Sequence, residues 1–501
     1  MIGRDISAAE SRSHDLIVVG GGVYGITLAL ESARRGLRPL LLEQGDFGGC
    51  TSWHSLRIVH GGLRYLQKMD LPRFVESVAE RSWFLQHFPE LVSTIPCLMP
   101  LYGRGLRRAS VMRLALFVND SLSRGRNRNL RADRHIGAGR IVSAAETEQL
   151  FPGVVRDELQ AGALWHDGVM PDSQRLLVEM LRWAAHCGAA ALNYVEAEKL
   201  LLEDGRAVGV QAVDRESGAT HCFRAPLVVN CAGPWCGEVA RRFDGEDPEL
   251  FRPSMAFNVF LEREPLSQAA VAVTPPSPGA RTYFMYPWKG GVFAGTFHAA
   301  WKGGPDEPPS EALVQRLLVE LNAAVPSLDV GLGDVIRLHW GQLPAAAPDT
   351  DRLAVREMIR DHGKRGGPHG LFSVSGVKFT TARRVAVKLL ETVMAARGES
   401  LSPSRDAARP AVTPVPDATE IRRLLDERPA DARRIVESLI RDEAALHLED
   451  LLLRRTDWGL RPAVGHSIAR SLCELLEWSD ARCSSELAGL ADGAAVAPAA
   501  H

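Results

Sequence analysis

The sequence has no long apolar run and no excess of charge of one sign. No stretch approaches the roughly 18 consecutive apolar residues that a membrane-spanning helix needs, and residues 1–14 lack the apolar centre of a signal peptide. The formal net charge of the 501 residues is −2 at pH 7, which argues against a general nucleic-acid-binding protein. We therefore expect a cytoplasmic protein that has no transmembrane segment and does not bind nucleic acid.

The motifs of several enzyme classes are missing as well. The eight cysteines include no Cys-x-x-Cys pair, so we expect reduced thiols, as is usual in the cytoplasm. The sequence contains neither the His-Glu-x-x-His spacing of zinc proteases nor the Gly-x-Ser-x-Gly turn of serine hydrolases. It therefore predicts no metal site and argues against these two hydrolytic mechanisms.

What the chain does contain is a nucleotide-binding unit close to its start. An apolar strand ends at Gly20-x-Gly22-x-x-Gly25, a helix follows over residues 26–35, and a second strand over residues 37–42 ends at Glu43. In such a unit the glycines permit a tight turn, a close approach to a pyrophosphate, and close packing of helix on strand. Glu43 stands about where an acidic side chain contacts a ribose hydroxyl. The unit predicts a dinucleotide site but does not choose between FAD and NAD.

The rest of the pattern predicts an α/β fold of several domains. Strands and helices continue to about residue 250, a run of strands joined by turns follows, and residues 341–396 return to a strand and a long helix. We predict a Rossmann-like domain from residues 14–250 with a return segment 341–396, and an antiparallel or mixed sheet substrate domain over 251–340. Residues 397–417 have the composition of a linker, and residues 418–484 should form a small C-terminal helical domain.

One region, residues 104–134, is strongly basic. Arginines recur from Arg104 to Arg134, with apolar residues such as Leu114 and Phe117 between them. A basic amphipathic helix on an anionic membrane surface is one interpretation, and a solvated helix followed by an arginine-rich loop is the other. We expect peripheral membrane attachment at most, at the inner face of the membrane.

Four motifs together resemble the FAD-dependent glycerol-3-phosphate dehydrogenase family, among the D-amino-acid-oxidase-like flavoproteins. The resemblance covers about residues 14–480, and a fifth segment in the C-terminal helices adds to it. These segments are Asp15–Glu43, Cys50–Leu66, Val229–Trp235, Ser375–Thr381 and Leu453–Gly459. The second segment, Cys50–Leu66, is long and specific.

The resemblance implies non-covalent FAD in the Rossmann-like domain and hydride transfer from a substrate carbon to flavin N5. It also implies that electrons pass to a quinone or another acceptor, and we note that the protein could be a homodimer. The cofactor-binding residues that we expect are Gly20, Gly22, Val23, Tyr24, Gly25, Glu43, Gln44, Thr51, Ser52, Ser55, His60, Gly61, Gly62, Leu63, Val195, Ala232, Gly233, Gly376, Lys378, Phe379 and Thr380.

The substrate side departs from the family pattern. Met255 stands where the family usually has a histidine, Phe297-His298 replaces Thr-Asp, and Leu343 replaces an arginine. Met255, Phe297 and Leu343 are expected to make the pocket more apolar. Arg64, Tyr65, Arg356 and Lys378 match the family, so we expect Arg64, Arg356 and Lys378 to bind an anion.

The sequence offers more than one candidate for the base that accepts the substrate's proton. Histidine suits this role near pH 7, and His298 and His339 lie at or near strand ends of the predicted substrate domain. We select His298 for the catalytic set, and we expect His60 to support the flavin loop.

Three functions remain in view. The first is oxidation of a small anionic alcohol, with glycerol 3-phosphate as the leading substrate. The second is an FAD-dependent dehydrogenase or oxidase of another anionic hydroxy compound, an amine or an amino acid. The third is a catalytically degenerate flavin-binding protein, which the altered pocket favours and the retained Arg64, Arg356 and Lys378 argue against.

Overall fold

The computed structural model describes residues 1–66, 69–103, 105–245, 249–405 and 407–492. Arg104, at the start of the basic stretch, and the end of the chain after residue 492 lie outside these ranges. The fold is mixed α/β with three sheets of six, three and nine strands, which confirms the predicted fold class. Within the described ranges no helix combines the length and the apolar character needed to cross a bilayer.

The strands and helices follow one another along the whole chain. The strands are β1 Leu16–Val19, β2 Pro39–Leu42, β3 Ile58–Val59, β4 Ser93–Leu101, β5 Arg140–Ser143, β6 Ala161–Val169, β7 Ala190–Leu192, β8 Val195–Glu203, β9 Arg206–Asp214, β10 Thr220–Arg224, β11 Val228–Asn230, β12 Pro253–Leu261, β13 Ala270–Val273, β14 Tyr283–Trp288, β15 Gly291–Ala300, β16 Val335–Pro344, β17 Met358–Asp361 and β18 Leu371–Ser375. The helices are α1 Ile6–Glu10, α2 Val23–Ala33, α3 Leu63–Leu66, α4 Leu71–His87, α5 Ala109–Leu122, α6 Ala144–Leu150, α7 Ser173–His186, α8 Cys236–Phe243, α9 Glu311–Ala324, α10 Ala382–Ala396, α11 Ala418–Glu427, α12 Pro429–Glu443, α13 Pro462–Leu475 and α14 Asp480–Asp492.

The six-stranded sheet carries the nucleotide-binding unit. Its order is β17-β18-β11-β1-β2-β7, and all neighbours are parallel except β17 and β18. Every residue of β1 is buried, because successive side chains point to opposite faces and both faces are covered. Leu16 and Val18 pack among residues of α2, α7 and α10, whereas Ile17 and Val19 pack toward the sheet β10-β9-β8.

The nine-stranded sheet is assembled from separate stretches of the chain. Its main path runs β16-β12-β15-β14-β13-β4-β6-β3, and β5 pairs with β6. The strands β3 to β6 come from residues 58–169, so this sheet is not confined to the expected range 251–340. The physical reason is the long pairing of β4 with β6, which joins the sheet through the parallel contact between β13 and β4.

The two faces of this sheet have different partners. Met255, Phe257 and Phe297 pack with α9 residues on one face. Phe260, Tyr286 and Phe293 belong to a cluster on the other face, together with residues of α5. Alternation along β12 therefore turns the even-numbered residues toward the nucleotide-binding sheet.

The C-terminal helices share one apolar core, and that core includes Trp53 from the loop that follows β2. Trp53 belongs to the cluster that Trp458, Leu451 and α11 to α13 form. A fully buried Arg455 pairs with Asp46 at 2.5 Å, so a charged contact also joins the helices to the first domain. The last helix, α14, extends to Asp492, beyond the boundary expected at residue 484.

Candidate active site

A cavity of about 1390 Å³ lies between the nucleotide-binding unit, the nine-stranded sheet and the C-terminal helical domain. It is larger than the roughly 300–1,000 Å³ of an ordinary small-molecule site, so it has room for a dinucleotide and a substrate. Most of the expected cofactor residues line it: Gly20, Gly22, Val23, Tyr24, Glu43, Gln44, Thr51, Ser52, Ser55, His60, Val195, Ala232, Gly233, Gly376, Lys378, Phe379 and Thr380.

The glycine unit builds the nucleotide end of the cavity. Gly20 has φ of 105°, and a Cβ on Gly25 would lie 1.8 Å from the carbonyl oxygen of Gly20. Gly25 therefore stands behind the cavity lining and permits the close helix–strand contact. Glu43 accepts hydrogen bonds from the backbone N–H groups of Gly21 and Gly45, at 2.5 and 2.8 Å. Burial raises the pKa of the Glu43 carboxyl, but both of these hydrogen bonds favour its charged form.

The amino-terminal end of α2 faces the loop that carries Thr51 and Ser52. The backbone N–H of Val23 donates to Ser52 Oγ at 2.9 Å, and Gly22 is the residue before the helix. An exposed helix N-terminus with a positive dipole end favours an anion. This is the position at which a dinucleotide's diphosphate would lie.

Tyr24 ties α2 to the segment that precedes α10. Its hydroxyl donates to the carbonyl of Lys378 at 2.9 Å and accepts from the Lys378 N–H at 3.0 Å. A Cβ on Gly376 would lie 1.8 Å from Tyr24 Cζ, so only glycine permits this contact. The pair positions the backbone of residues 376–380 along the cavity wall.

Asp167 forms hydrogen bonds with the loop that carries His60. It accepts from the Gly61 N–H at 2.7 Å and from Arg81 at 2.6 Å, and it lies 3.2 Å from His60 Nδ1. Of the expected cofactor residues, Gly61, Gly62 and Leu63 do not line the cavity. The ring of His60 does line the cavity.

The donor set of the cavity suits FAD. Ser55 Oγ and His54 Nδ1 are buried without a hydrogen-bond partner among the described residues, and both residues line the cavity. Together with Ser52 and the N-terminus of α2, they would hold an extended dinucleotide whose ribose lies near Glu43. Residues 376–380 would hold its ring end.

Cations surround the other end of the cavity. Arg64, Arg73, Arg281, Arg352 and Lys378 line it, with Asp70 and Asp351 among them. Arg73 pairs with Asp70 at 3.3 Å, and Arg281 pairs with Asp351. This leaves an excess of positive charge, which favours a substrate with a negatively charged group.

Lys378 is the titratable cation of this set. Its Nζ contacts the Tyr65 hydroxyl. Burial, followed by repulsion from Arg64, lowers the pKa of its ammonium to about 8. It is therefore charged at pH 7 and can bind an anion.

His298 lies beside these cations. Its Nδ1 is buried without a partner among the described residues. Burial, and then repulsion from Arg281 and Arg64, lowers its pKa to about 4. The neutral ring can accept a proton, and an anion bound between the arginines would raise this pKa.

Two residues selected from the sequence are placed elsewhere. The ring of His339 is fully buried, with centroid distances of 5.2 Å to Trp53 and 5.1 Å to Phe293, and it does not line the cavity. Arg356 lines a smaller neighbouring cavity that also includes Lys378 and Tyr24. His339, the alternative base, is therefore packed among aromatic rings and does not line the cavity.

The expected apolar residues also need a correction. Met255 and Phe297 are buried against α9 and not in the cavity, whereas Leu343 does line it. Ala256 faces the cavity instead and pairs in register with His298 on the neighbouring strand. Met255 was assigned to the cavity in place of Ala256, and neighbouring residues of a strand point to opposite faces of the sheet.

The sequence interpretation missed three arginines at the substrate end of the cavity. Arg281 begins the segment that leads into β14, Arg352 lies in a loop, and Arg73 is on α4. No short motif joins them, because they come from three distant parts of the chain. The position of Arg281 directly before an apolar strand was the one available signal.

The chain is similar to known flavoenzymes over most of its length. A model of the family described as FAD dependent oxidoreductase (DAO) matches residues 15–386. Glycerol-3-phosphate dehydrogenase of Synechocystis sp. is 29% identical over 423 residues, which cover 81% of this chain and 74% of the relative. Glycerol-3-phosphate dehydrogenase 1 of Mycobacterium tuberculosis is 30% identical over 505 residues, which cover 91% of this chain and 94% of the relative.

The fold is shared with a solved structure as well. Glycerol-3-phosphate dehydrogenase from Bacillus halodurans complexed with FAD matches 100% of both chains with a TM-score of 0.75, at 21% identity. At this identity the match shows a common fold, including the region that holds the cofactor in that protein.

Proposed function

This chain belongs to the family of FAD-dependent oxidoreductases, and from that premise we propose that it oxidises glycerol 3-phosphate to dihydroxyacetone phosphate. FAD is its cofactor. The observation that carries the proposal is the single cavity that contains both the dinucleotide donors and the excess of cations around His298. Curated relatives named glycerol-3-phosphate dehydrogenase support this choice among anionic alcohols.

The cations bind and orient the substrate. Arg64, Arg281 and Lys378 would hold the phosphate, and the secondary hydroxyl would then lie beside His298. Burial, and then repulsion from Arg281 and Arg64, lowers the pKa of His298. A bound dianion would offset the repulsion, so the ring becomes a stronger base when substrate is present. His298 then accepts the hydroxyl proton as hydride leaves the same carbon. Bound FAD supplies the acceptor for that hydride.

Anaerobic reduction of the bound flavin tests the substrate. The holoenzyme is mixed with glycerol 3-phosphate, other hydroxy acids, amino acids, amines and polyol phosphates, and the flavin absorbance is followed without oxygen. We expect bleaching by glycerol 3-phosphate and none by glycerol, which lacks the charge that the cations recognise. Bleaching by amines or amino acids alone would reject the proposal and favour the second function.

The role of His298 can be tested by moving the base across the strand pair. Ala256 and His298 are partners in register, so their Cα atoms lie roughly 5 Å apart. We expect His298→Ala to lower kcat by roughly 10²- to 10⁴-fold, the usual contribution of a general base. Adding Ala256→His to that variant should restore part of the rate. His221→Ala, on β10, is the control, and a His298→Ala enzyme with full kcat would contradict the role.

We also propose that the protein docks peripherally on the inner face of the cytoplasmic membrane and delivers electrons to a quinone there. The supporting feature is a surface formed by α5 and the α3–α4 region, which we call the apolar patch. Its exposed side chains are Met69, Leu71, Val75, Val111, Leu114, Phe117 and Leu122. Tyr65 and Phe74 pack with Val118 beneath it, and Tyr65 also lines the cavity.

Charge at the patch favours an anionic lipid surface. Arg108, Arg113, Arg124 and Arg128 are exposed on or beside α5, whereas Arg126 is paired with Asp120 at 2.8 Å. An apolar face flanked by arginines is the composition of an interfacial helix.

Sedimentation with vesicles tests this docking. We expect binding to vesicles of phosphatidylglycerol and phosphatidylcholine at low salt, and weaker binding to phosphatidylcholine alone. The double variant Leu114→Ser/Phe117→Ser should lose it, whereas Leu202→Ser, an exposed leucine on β8, should not. Equal recovery of wild type and double variant in the supernatant at low salt would reject the docking surface.

A further inference from the structure

The C-terminal helical domain contributes side chains to the cofactor cavity. Glu449, Asp450 and Arg454 line it. Asp450 and Arg454 belong to a π-helical turn, Asp450–Arg455, between α12 and α13, and Glu449 is the residue before that turn. The family model ends at residue 386, so it assigns no role to this segment. These residues nevertheless lie beside the loop of Thr51 and Ser52.

Arg454 has donors that the protein does not satisfy. Its side chain is about nine-tenths buried, and Nη2 donates to Glu449 Oε1 at 2.7 Å. Nε and Nη1 are buried without a hydrogen-bond acceptor among the described residues. The guanidinium carbon lies 4.7 Å from the centroid of the Trp53 ring. A buried guanidinium with unused N–H groups beside a cavity indicates an anionic ligand.

Two further buried arginines add to this positive charge. Arg57 donates to the carbonyls of Ser55 and Trp53, and Arg337 donates to the carbonyls of Gly459 and Leu460. Glu449 pairs with Arg454, and no ion pair to a carboxylate is formed by Arg57 or Arg337 among the described residues. This cluster of three guanidinium groups therefore makes this wall of the cavity favourable for an anion.

The cluster lies on the diphosphate side of the cavity. Arg454 Nε would lie 3.5 Å from a Cβ on Gly49, and Trp53, on which Arg454 packs, directly follows Ser52. Ser52 in turn accepts the N–H at the start of α2, where a diphosphate would bind. A negatively charged diphosphate there would accept hydrogen bonds from the unused N–H groups of Arg454.

We propose that Arg454 supplies positive charge to the diphosphate of FAD, so that the C-terminal helical domain is part of the cofactor site. The inference rests on FAD as the cofactor of the proposed function. Because Trp53 belongs to the core of that domain, FAD binding and docking of the domain stabilise each other. A ligand that binds only the docked form shifts the equilibrium toward it.

The test is the affinity of the apoprotein for FAD, followed by flavin fluorescence. A hydrogen bond to a charged group lost in Arg454→Gln should raise Kd roughly 10- to 150-fold. Arg454→Lys, which keeps the charge, should raise it less, and Arg470→Gln, on the exposed face of α13, should leave it unchanged. A Kd for Arg454→Gln within about twofold of wild type, in a folded apoprotein, would overturn the proposal. If Arg454→Gln does not fold, Arg454→Met takes its place, and a Kd and salt dependence of FAD binding equal to those of wild type in that variant overturn the proposal.

Two probes separate the diphosphate from other parts of FAD. ADP and adenosine compete with FAD for the apoprotein, and Arg454→Gln should weaken ADP but not adenosine. Equal weakening of both would reject the contact with the diphosphate. Hydrogen exchange of the amides of residues 449–455 should slow when FAD binds to wild type, and an unchanged rate would reject the coupling.

These readouts are independent of catalysis. A protein that binds FAD through Arg454 but is bleached by no phosphorylated alcohol would defeat the proposed function and leave this inference standing. Normal oxidation of glycerol 3-phosphate together with an unchanged Kd for FAD in Arg454→Gln would support the proposed function and overturn this inference.

Discussion

Lys378 offers the sharpest test of the substrate end. Its ammonium contacts Tyr65, and no carboxylate pairs with it among the described residues. Burial, and then repulsion from Arg64, lowers its pKa to about 8. The charge is present below pH 8 and is lost as the pH rises through that value. The alkaline limb of kcat/KM for glycerol 3-phosphate should therefore bend downward near pH 8, because kcat/KM reports groups of the free enzyme.

The size of the effect follows from one charged hydrogen bond. Such a bond stabilises by about 1.5–3 kcal/mol, which corresponds to roughly 10- to 150-fold in kcat/KM. Lys378→Met should lose this amount at pH 7 and should show no alkaline limb. Lys378→Arg should keep most of the activity and move the limb to higher pH, because a guanidinium stays protonated throughout the accessible range.

The assay is dye-linked oxidation at constant low ionic strength, from about pH 6.5 to about pH 10. Only the alkaline limb is assigned to Lys378, because the substrate's phosphate and His298 titrate on the acid side. The exposed Lys364, replaced by arginine, is the matched control. A limb that stays near pH 8 in Lys378→Arg would refute the reasoning.

The same titration has a consequence for stability. The unfolded-state pKa of lysine is near 10.4, above the folded value of about 8. Between these values the unfolded chain binds more protons, so the stability of the apoprotein should rise with pH over this interval. Below pH 8 the buried ammonium is unfavourable, and Lys378→Met should not be less stable than wild type at pH 7. Loss of activity in that variant through unfolding is thereby excluded by a urea titration.

Further replacements test other contacts. Gly376→Ala would bring a Cβ to 1.8 Å from Tyr24 Cζ, so the purified variant should hold less than about a tenth of the wild-type flavin per protein by absorbance. The control Gly489→Ala, with open space around its Cβ, should hold the full amount. Full flavin content in Gly376→Ala would contradict the tight contact. Asp46→Asn leaves the fully buried Arg455 without its carboxylate and should lower the free energy of unfolding in urea by about 3–5 kcal/mol, so a change of under about 1 kcal/mol would count against that pair. Leu343→Arg adds a cation to the cavity lining and should lower KM for glycerol 3-phosphate roughly tenfold, whereas an unchanged KM would show that Leu343 does not stand in for a substrate arginine.

The nucleotide end could be predicted from the sequence because its requirements are local. The left-handed φ of Gly20 and the contact of Gly25 with the Gly20 carbonyl depend on residues within one strand–turn–helix unit. The confirmed family and α/β fold rest on this unit and on the long motif at residues 50–66. Short-range spacing is enough to specify such a site.

The substrate end depended on facts that a linear pattern does not contain. The register shift opposite Phe257 and Asn258 leaves Thr296 of β15 as an extra residue, and Gly295, Thr296 and His298 all line the cavity. On β12 the sequence interpretation selected Met255, whereas Ala256 lines the cavity. Arg281 and Arg454 reach the cavity from a loop and from another domain. Such meetings of distant residues arise from tertiary packing.

The way in which the large sheet is assembled limits how this protein can be made. Its order places β4 and β6 beside β13, and β16 completes the opposite edge. The sheet is therefore complete only after the chain has been synthesised to Pro344, and until then its earlier strands have unpaired edges. Long-range pairing of this kind is slow and exposes aggregation-prone surface. We expect heterologous yield to depend on chaperones and on flavin supply late in synthesis, and we expect truncation before residue 344 to give insoluble product.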